Sequence, residues 1–371
     1  MRSSYCQGEL LVAATRDRSL GCLQNGTQSR YANKRTGSNL FYLLFLPILQ
    51  VCYDEQHMNA HDKEQTIREA ILDMVAYFAV FGMPVSIERL NALLSVKASH
   101  LAVQAMAREM VEAGDLVRLN DDFGLPGVRY VDLHKAQAHR EYLLGRARKL
   151  ARVLAKMPFI KAVCVVNSVA IGNVHEDSDI DLLVVTTPGR VFVAKGLLWK
   201  TLGWAKLLET EEKKAGQFSL GMFLTTRGVT FERDIMHEND PHLIYWLMTA
   251  VPVYGARRWY EILQASPYVR LHAPNYLWPK GGRSIDRAGM KWMDSLDDRG
   301  YKIHLRHTSK QAKNLRSEAF VRVRPDVINL HALDESRAIS EAWHKLRGTW
   351  VEPKKELKPL RTTDRRSGKA A

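Results

Sequence analysis

The spacing of hydrophobic residues is helical in the first half of the chain. In residues 62–113, apolar side chains recur every three or four positions in three runs, which is the period of amphipathic helices. Gly82 ends the first predicted helix, and Ser86 is the predicted N-cap of the second. Residues 116–119 and 127–131 flank a turn-rich segment and predict a β-hairpin after the third helix.

The central part of the chain alternates between predicted helices and strands. A basic linker helix is expected at residues 134–155, and continuous apolar runs predict buried strands. In the helix predicted at 190–208, we expect Trp199 and Trp204 in the core and the lysines in solvent, although one lysine reaching a nucleotide phosphate is an alternative. The predicted central strands are residues 162–166, 178–185 and 217–224. Helices are predicted after them at residues 242–254 and 259–263.

Residues 178–182 alternate strictly between polar and apolar side chains. A strand with this period places Asp179 and Asp181 on one face, and Ile180 and Leu182 on the other. Two carboxylates on one face repel each other, and a divalent cation between them would remove that repulsion. The pair therefore predicts a site for Mg²⁺ or Mn²⁺.

A polar turn precedes this pair. The apolar strand at 162–166 ends at Asn167-Ser168, where a short helix is expected to begin. Backbone amides and a hydroxyl at such a position suit a phosphate group. Gly172 and Asn173 provide the turn that returns the second strand beside the first. The sequence thus predicts a phosphate-binding turn next to the cation site.

Together these residues resemble the signature of the nucleotidyltransferase superfamily related to DNA polymerase β. In that superfamily a Gly-Ser turn is followed by an Asp-x-Asp strand. Here ten residues separate Ser168 from Asp179, and the similar region covers residues 160–187. Asn167 stands where the family usually has Gly, and Asn is the side chain that best tolerates a positive φ.

The resemblance implies an α/β (α+β) core with a mixed sheet at residues 156–257. It implies transfer of a nucleoside monophosphate from a nucleoside triphosphate, ATP foremost, to an acceptor hydroxyl, with release of pyrophosphate. Asp179 and Asp181 would be the catalytic, cation-binding residues, and Asn167 and Ser168 would bind the nucleotide. A small molecule, a nucleic-acid end and a protein side chain remain open as the acceptor.

The third carboxylate of this superfamily, normally on a later strand, has no clear counterpart. The polar positions of the strand predicted at 217–224 hold Gln217 and Ser219, and the nearest later acids are Glu232 and Asp234. A second interpretation is therefore a nucleotide-sensing regulator that binds DNA or protein and has a catalytically weak nucleotidyltransferase-like domain. A scaffold that binds no nucleotide is a third.

Residues 62–133 resemble a winged helix-turn-helix in the order of their predicted elements. Such units commonly insert their third helix into the DNA major groove. Here that helix carries Arg108 together with Glu109 and Glu112, so its charge is modest. DNA contact and protein contact therefore both remain open for this unit.

Composition narrows the class of partner. A net charge of +14 over 371 residues favours polyanions, which include nucleic acids and nucleotide polyphosphates. The chain has four cysteines without paired metal-binding spacing, which is typical of a reduced, cytoplasmic protein. The longest apolar stretch, residues 40–51, is too short to span a bilayer, so no membrane partner is expected.

The two ends of the chain lack periodicity. Residues 1–57 are expected to be a poorly ordered extension, and Met58 is an alternative start of the protein. In a second interpretation, residues 40–51 form an added helix or a membrane-surface contact. Residues 258–350 predict a helical C-terminal region, and the resemblance to the nucleotidyltransferase superfamily implies that this region would bind the acceptor. Residues 351–371, basic and poor in large apolar side chains, are expected to be disordered.

Overall fold

The computed structural model describes residues 60–210, 212–226, 241–279, 292–314, 320–331 and 335–348. The expectations for residues 1–57 and 351–371 lie outside these ranges. Among the described helices, none is long and apolar enough to cross a membrane.

The first described unit combines three helices with a small antiparallel sheet. Ser86 Oγ accepts a hydrogen bond of 3.3 Å from the backbone N–H of Arg89, which confirms it as the cap of the second helix. The strand order in the sheet is β1-β3-β2. The elements are α1 (Ala60–Val80), β1 (Val85–Ser86), α2 (Ile87–Leu93), α3 (His100–Glu112), β2 (Val117–Leu119) and β3 (Asp122–Gly124).

The hairpin in this unit is tighter than predicted. Leu119 pairs with Asp122, so only residues 120–121 join the two strands, and Asn120 adopts a φ of 56°. The return strand expected at residues 127–131 is wrong. The chain turns earlier because Asn tolerates the left-handed conformation that a two-residue hairpin loop requires.

The second part of the chain surrounds a larger sheet. Asp132 caps the linker helix by accepting hydrogen bonds from two backbone N–H groups. The elements are α4 (Leu133–Leu154), β4 (Ile160–Val166), α5 (Asn167–Ile171), β5 (Ile180–Thr186), α6 (Val191–Trp204), β6 (Phe218–Thr225), α7 (His242–Thr249), β7 (Val251–Tyr254), α8 (Ala256–Ala265), α9 (Pro267–His272), α10 (Trp292–Asn314), β8 (Phe320–Arg324), β9 (Val327–His331) and α11 (Glu335–Leu346).

The sheet is mixed, as predicted. Within the described residues it has six strands in the order β7-β4-β5-β6-β9-β8. β5 and β6 are parallel and are joined by a crossover through α6, whereas the other neighbouring strands are antiparallel. The antiparallel β4–β5 pair brings Val166 opposite Asp181, which returns the aspartate strand to the end of the first strand.

Two helical predictions need correction. The helix expected at residues 242–254 ends at Thr249, and residues 251–254 form edge strand β7. β-Branched Val251 and Val253 favour a strand, and Pro252 fits an edge position because it has no N–H to donate. The C-terminal region is not entirely helical either, since β8 and β9 extend the sheet and pair the backbone groups of β6 that would otherwise form an open edge.

The sheet buries hydrophobic side chains on both faces. Ile180, Leu182 and Val184 of β5 pack in the cluster that contains α4 and α6 residues. Leu183 and Val185 pack on the other face, in a cluster shared with α7, α8 and the N-terminal helices. The N-terminal unit and the larger sheet therefore share one hydrophobic core.

An aromatic contact makes this shared core specific. The ring of Tyr245 in α7 lies 4.7 Å from that of Tyr77 and 5.7 Å from that of Phe78, both in α1. The Tyr77 hydroxyl also lies 3.0 Å from Nδ1 of His242. These contacts fix α7 against α1.

Gly255, between β7 and α8, is expected to be essential for stability. It has a φ of 65°, and a Cβ added there would lie 2.0 Å from the backbone oxygen of Lys161. Gly255→Ala should lower the free energy of unfolding by about 1–3 kcal/mol or more, because both the backbone conformation and the close approach become strained. Urea denaturation measures this loss.

The matched control for this substitution is Gly145→Ala in the interior of α4. A Cβ at Gly145 would meet no atom within 4 Å. This change should be neutral or should stabilise the protein by about 1 kcal/mol, because Ala has the higher helix propensity. Equal effects of the two substitutions would show that the close approach at Gly255 is not a constraint.

Candidate active site

Asp179 and Asp181 lie at the beginning of β5. Asp181 is paired in register with Val166 of β4 and with Ser219 of β6. Its neighbours Ile180 and Leu182 are buried in the core on the opposite face of the sheet. The side chain of Asp181 is therefore directed toward the other face, as the alternating pattern predicts.

Asn167 links the predicted turn to this aspartate. Its φ is 58°, so the position does require the left-handed conformation that Gly usually provides. Asn167 Nδ2 donates a hydrogen bond of 2.9 Å to Asp181 Oδ2. Asn167 Oδ1 accepts one of 2.7 Å from Nε1 of Trp246 in α7. Ser168 follows, partly exposed, at the beginning of α5.

Electrostatic conditions at Asp179 favour a bound proton. The pKa of Asp179 is raised to about 8, and burial is the largest cause. A hydrogen bond with the Glu209 side chain and the charges of Asp181 and Glu209 also raise this pKa. Burial and the neighbouring acids therefore favour the protonated form of the Asp179 carboxyl group near neutral pH.

Glu209 reaches this position through a short connection that follows α6. Leu208 forms a parallel bridge with Phe218, and the backbone N–H of Glu209 donates a 3.0 Å hydrogen bond to the Phe218 oxygen. This places Glu209 alongside the beginning of β6 and next to Asp179. Glu209 is absent from the site residues predicted from the sequence, because it begins a charged run that is typical of a solvated loop. Only the two preceding leucines suggest that the backbone is fixed there.

The structure also locates the other candidates for the third carboxylate. Ser219 of β6 lies beside Asp181, so this position of the neighbouring strand has no acid. Glu232 and Asp234 lie outside the described residues. Among the described residues, Glu209 is therefore the acid that lies beside the aspartate pair. It belongs to the connection between α6 and β6, whereas the third acid of the superfamily normally lies on a strand.

The donor chemistry of these side chains fits a hard divalent cation. Asp179, Asp181 and Glu209 provide only carboxylate oxygens, which are the ligands that Mg²⁺ prefers. Within the described ranges, however, no three His, Cys, Asp or Glu side chains form a ready-made metal-binding group. These carboxylates therefore supply the oxygen ligands that a hard cation requires.

A partly buried arginine holds the turn through its backbone carbonyls. Arg140 of α4 donates hydrogen bonds from Nε to the Val169 oxygen (2.8 Å) and from Nη2 to the Ala170 oxygen (3.1 Å). These carbonyls belong to the last turn of α5 and lack partners within the helix. Arg140 of the predicted basic linker helix therefore stabilises the turn beside the candidate site.

Gly172, directly after α5, brings the turn close to the N-terminal unit. Gly172 has a φ of 108°, and a Cβ added there would lie 2.9 Å from Cε of Met83. The turn that separates Ser168 from Asp179 is therefore fixed from two sides, by α4 and by the segment after α1.

The expectation for α6 is reversed in the structure. Trp199 and Trp204 are 64 % and 89 % exposed, whereas Lys195 is only 6 % exposed. The residues that cover the sheet recur at 191, 195, 198 and 202, and Lys195 occupies a position in this otherwise apolar stripe. Its Nζ has no hydrogen-bond partner, and it packs on the sheet face opposite Asp181. Lys195 is therefore not a phosphate ligand.

The comparisons with known proteins agree with the geometry of this region. Residues 147–216 match the family model described as a nucleotidyltransferase domain. The match begins in α4 and ends two residues before β6, so it contains Asn167, Ser168, both aspartates and Glu209. No curated protein and no solved structure shows significant similarity to the chain. The mixed sheet around this segment fits a nucleotidyltransferase core.

Lys195 is expected to make stability depend on pH. Burial lowers its pKa from 10.5 to about 8, so the unfolded chain binds this proton more tightly than the folded chain does. The destabilisation is complete below pH 8 and disappears as pH rises toward 10.5. Lys195→Met should therefore raise the free energy of unfolding at pH 7 by up to about 3 kcal/mol, at about 1.4 kcal/mol per pKa unit.

Urea denaturation at pH 7 and at pH 10 measures this effect. The wild type should gain stability relative to Lys195→Met as pH rises between these values. Lys200→Met, an exposed lysine on the same helix, is the control and should behave like the wild type. A constant difference between wild type and Lys195→Met at both pH values would refute the buried-charge explanation.

Proposed function

We propose that this protein is a nucleotidyltransferase that transfers a nucleoside monophosphate from a nucleoside triphosphate, ATP being the first candidate, to an acceptor hydroxyl. The observation that carries the proposal is the meeting of Asp179, Asp181 and Glu209 at the beginning of β5, beside the turn at Asn167 and Ser168. The acceptor belongs to one of three classes: a small molecule, a nucleic-acid end or a protein. The cysteine usage supports a cytoplasmic location for this reaction.

In this proposal the three carboxylates have two roles, cation binding and proton transfer. Asp179 and Asp181 hold Mg²⁺ or Mn²⁺, with Glu209 as the third acid. When bound, the cation offsets the negative charge that develops on the phosphate oxygens during in-line displacement. Glu209 is the most exposed of the three acids and is therefore the one placed to take the proton of the acceptor hydroxyl.

The nucleotide contacts are assigned to the turn. The Ser168 hydroxyl donates to a phosphate oxygen in this proposal. The Asn167 side chain is already engaged with Asp181 and Trp246, so Asn167 contacts the nucleotide through its backbone. Release of pyrophosphate completes the reaction, since the bond to the α-phosphate moves from the pyrophosphate oxygen to the acceptor oxygen.

The first test removes the aspartates. Asp179→Ala and Asp181→Ala should each reduce pyrophosphate release to the background rate, because either change removes a cation ligand. The assay offers each of the four nucleoside triphosphates with Mg²⁺ or Mn²⁺ in the presence of cell extract as the source of acceptor. Asp177→Ala removes an exposed acid from the same turn and should retain activity.

The second test addresses Glu209. Glu209→Gln keeps the size of the side chain but cannot take a proton, so turnover should fall by roughly 100-fold or more, with a smaller change in KM for the nucleotide. Glu212→Gln, an exposed neighbour in the same connection, is the matched control. Wild-type turnover by Glu209→Gln would remove this residue from the mechanism.

A second candidate function is that of a nucleotide-sensing regulator. Ser219 beside Asp181 favours it, because the neighbouring strand lacks an acid there. We propose that residues 62–133 would then act as a winged-helix-like unit that binds protein. The outer face of α3 combines exposed Leu101 with Arg108 and Glu112, and Asp121 of the hairpin turn forms an ion pair of 3.4 Å with Arg118, so the charges of this surface are balanced and offer little attraction for DNA phosphates.

The aspartate experiment separates the two functions. A regulator would bind nucleotide, would lose that binding in Asp181→Ala, and would release no pyrophosphate even as the wild type. An enzyme releases pyrophosphate in a manner that depends on both aspartates.

A further inference from the structure

Trp246 is connected to Asp181 through a single side chain. The indole is 8 % exposed and lies in α7. Its Nε1–H donates to Asn167 Oδ1 at 2.7 Å, and Asn167 Nδ2 donates to Asp181 Oδ2 at 2.9 Å. A part-buried relay of two hydrogen bonds therefore runs from a helix on one face of the sheet to a residue of the candidate cation site.

The chemistry of the indole sets the direction of this relay. An indole N–H can only donate, so it requires the oxygen of the Asn167 amide on its side. The amide nitrogen then faces the carboxylate. If the Asn167 amide rotated by 180°, its NH₂ group would face the indole N–H and its oxygen would face the Asp181 carboxylate. Both hydrogen bonds would then be lost. Trp246 therefore selects the amide orientation that donates to Asp181.

The helix that carries Trp246 is held firmly. The preceding residue, Tyr245, is 3 % exposed and packs on the rings of Tyr77 and Phe78 in α1. The indole is thus anchored by the core and not by the site itself. A donor fixed in this way can restrict the rotamer of Asn167 and, through it, the orientation of the Asp181 carboxylate.

We propose that Trp246 is a positioning residue for the cation site. Through Asn167 it holds Asp181 with Oδ2 engaged and the carboxylate plane fixed, so that the remaining oxygen lone pairs are presented to the cation. This inference rests on the proposed function, because it assumes that Asp181 is a cation ligand. Hydrogen-bond partners of ligating side chains typically change metal affinity by about 10–100-fold when they are removed.

The experiment measures Mn²⁺ binding by electron paramagnetic resonance of free Mn²⁺, without nucleotide or turnover. Trp246→Phe keeps the aromatic ring and removes the donor, and it should weaken Mn²⁺ binding about tenfold. The control is Trp259→Phe, which removes another buried indole N–H, one that has no hydrogen-bond partner. This control should bind Mn²⁺ like the wild type, and thermal melts of both variants check folding.

A double-mutant cycle separates positioning from general packing. Asn167→Gly interrupts the relay at a position whose φ of 58° suits Gly, and it should also weaken Mn²⁺ binding about tenfold. In the Asn167→Gly background, Trp246→Phe should have no further effect. The Asn167→Gly single variant tests the relay even if Trp246→Phe folds poorly.

The outcomes distinguish this inference from the proposed function. If the wild type binds Mn²⁺, loses it in Asp181→Asn, and keeps it in both Trp246→Phe and Asn167→Gly, then the positioning role is overturned while the cation site stands. Additive effects of the two substitutions would also overturn it, since Trp246 would then act by packing. If the wild type binds no Mn²⁺, both proposals fail.

Discussion

The repulsion between carboxylates at the beginning of β5 is the constraint on which the candidate site depends. Asp179 is part-buried beside Asp181 and Glu209, and three negative charges cannot stay together in such a position without compensation. In this structure the raised pKa of Asp179 favours its neutral form, and the Asn167 amide donates a hydrogen bond to Asp181. Arg140 holds the turn beside these groups, and the anchored indole of Trp246 contacts Asp181 through Asn167.

The features that follow from local sequence were predicted well. β4, α5 and β5 lie within a few residues of their expected bounds, because apolar runs and a polar turn specify a short antiparallel pair without distant help. The positive φ of Asn167 was also predictable, since few side chains besides Gly adopt it.

The features that the sequence analysis missed depend on distant contacts. Residues 251–254 continue an apolar segment, and only the free edge of β4 makes them a strand. The strands β8 and β9 likewise depend on a distant contact, because β9 pairs with the edge of β6. Glu209 gains its position from a backbone hydrogen bond to Phe218, and the exposure of Trp199 and Trp204 follows from which stripe of α6 covers the sheet. None of these contacts leaves a periodic signal in the residues themselves.

Pro252 has a consequence for how this sheet can associate with other chains. β7 is an end strand of the sheet within the described residues, and an end strand ordinarily offers a row of N–H and C=O groups on which another strand can be added. A proline at an edge strand removes one donor from that row, and its ring obstructs a strand approaching in register. The β7 edge is thereby a poorer template for an added strand than an edge with a complete row of donors.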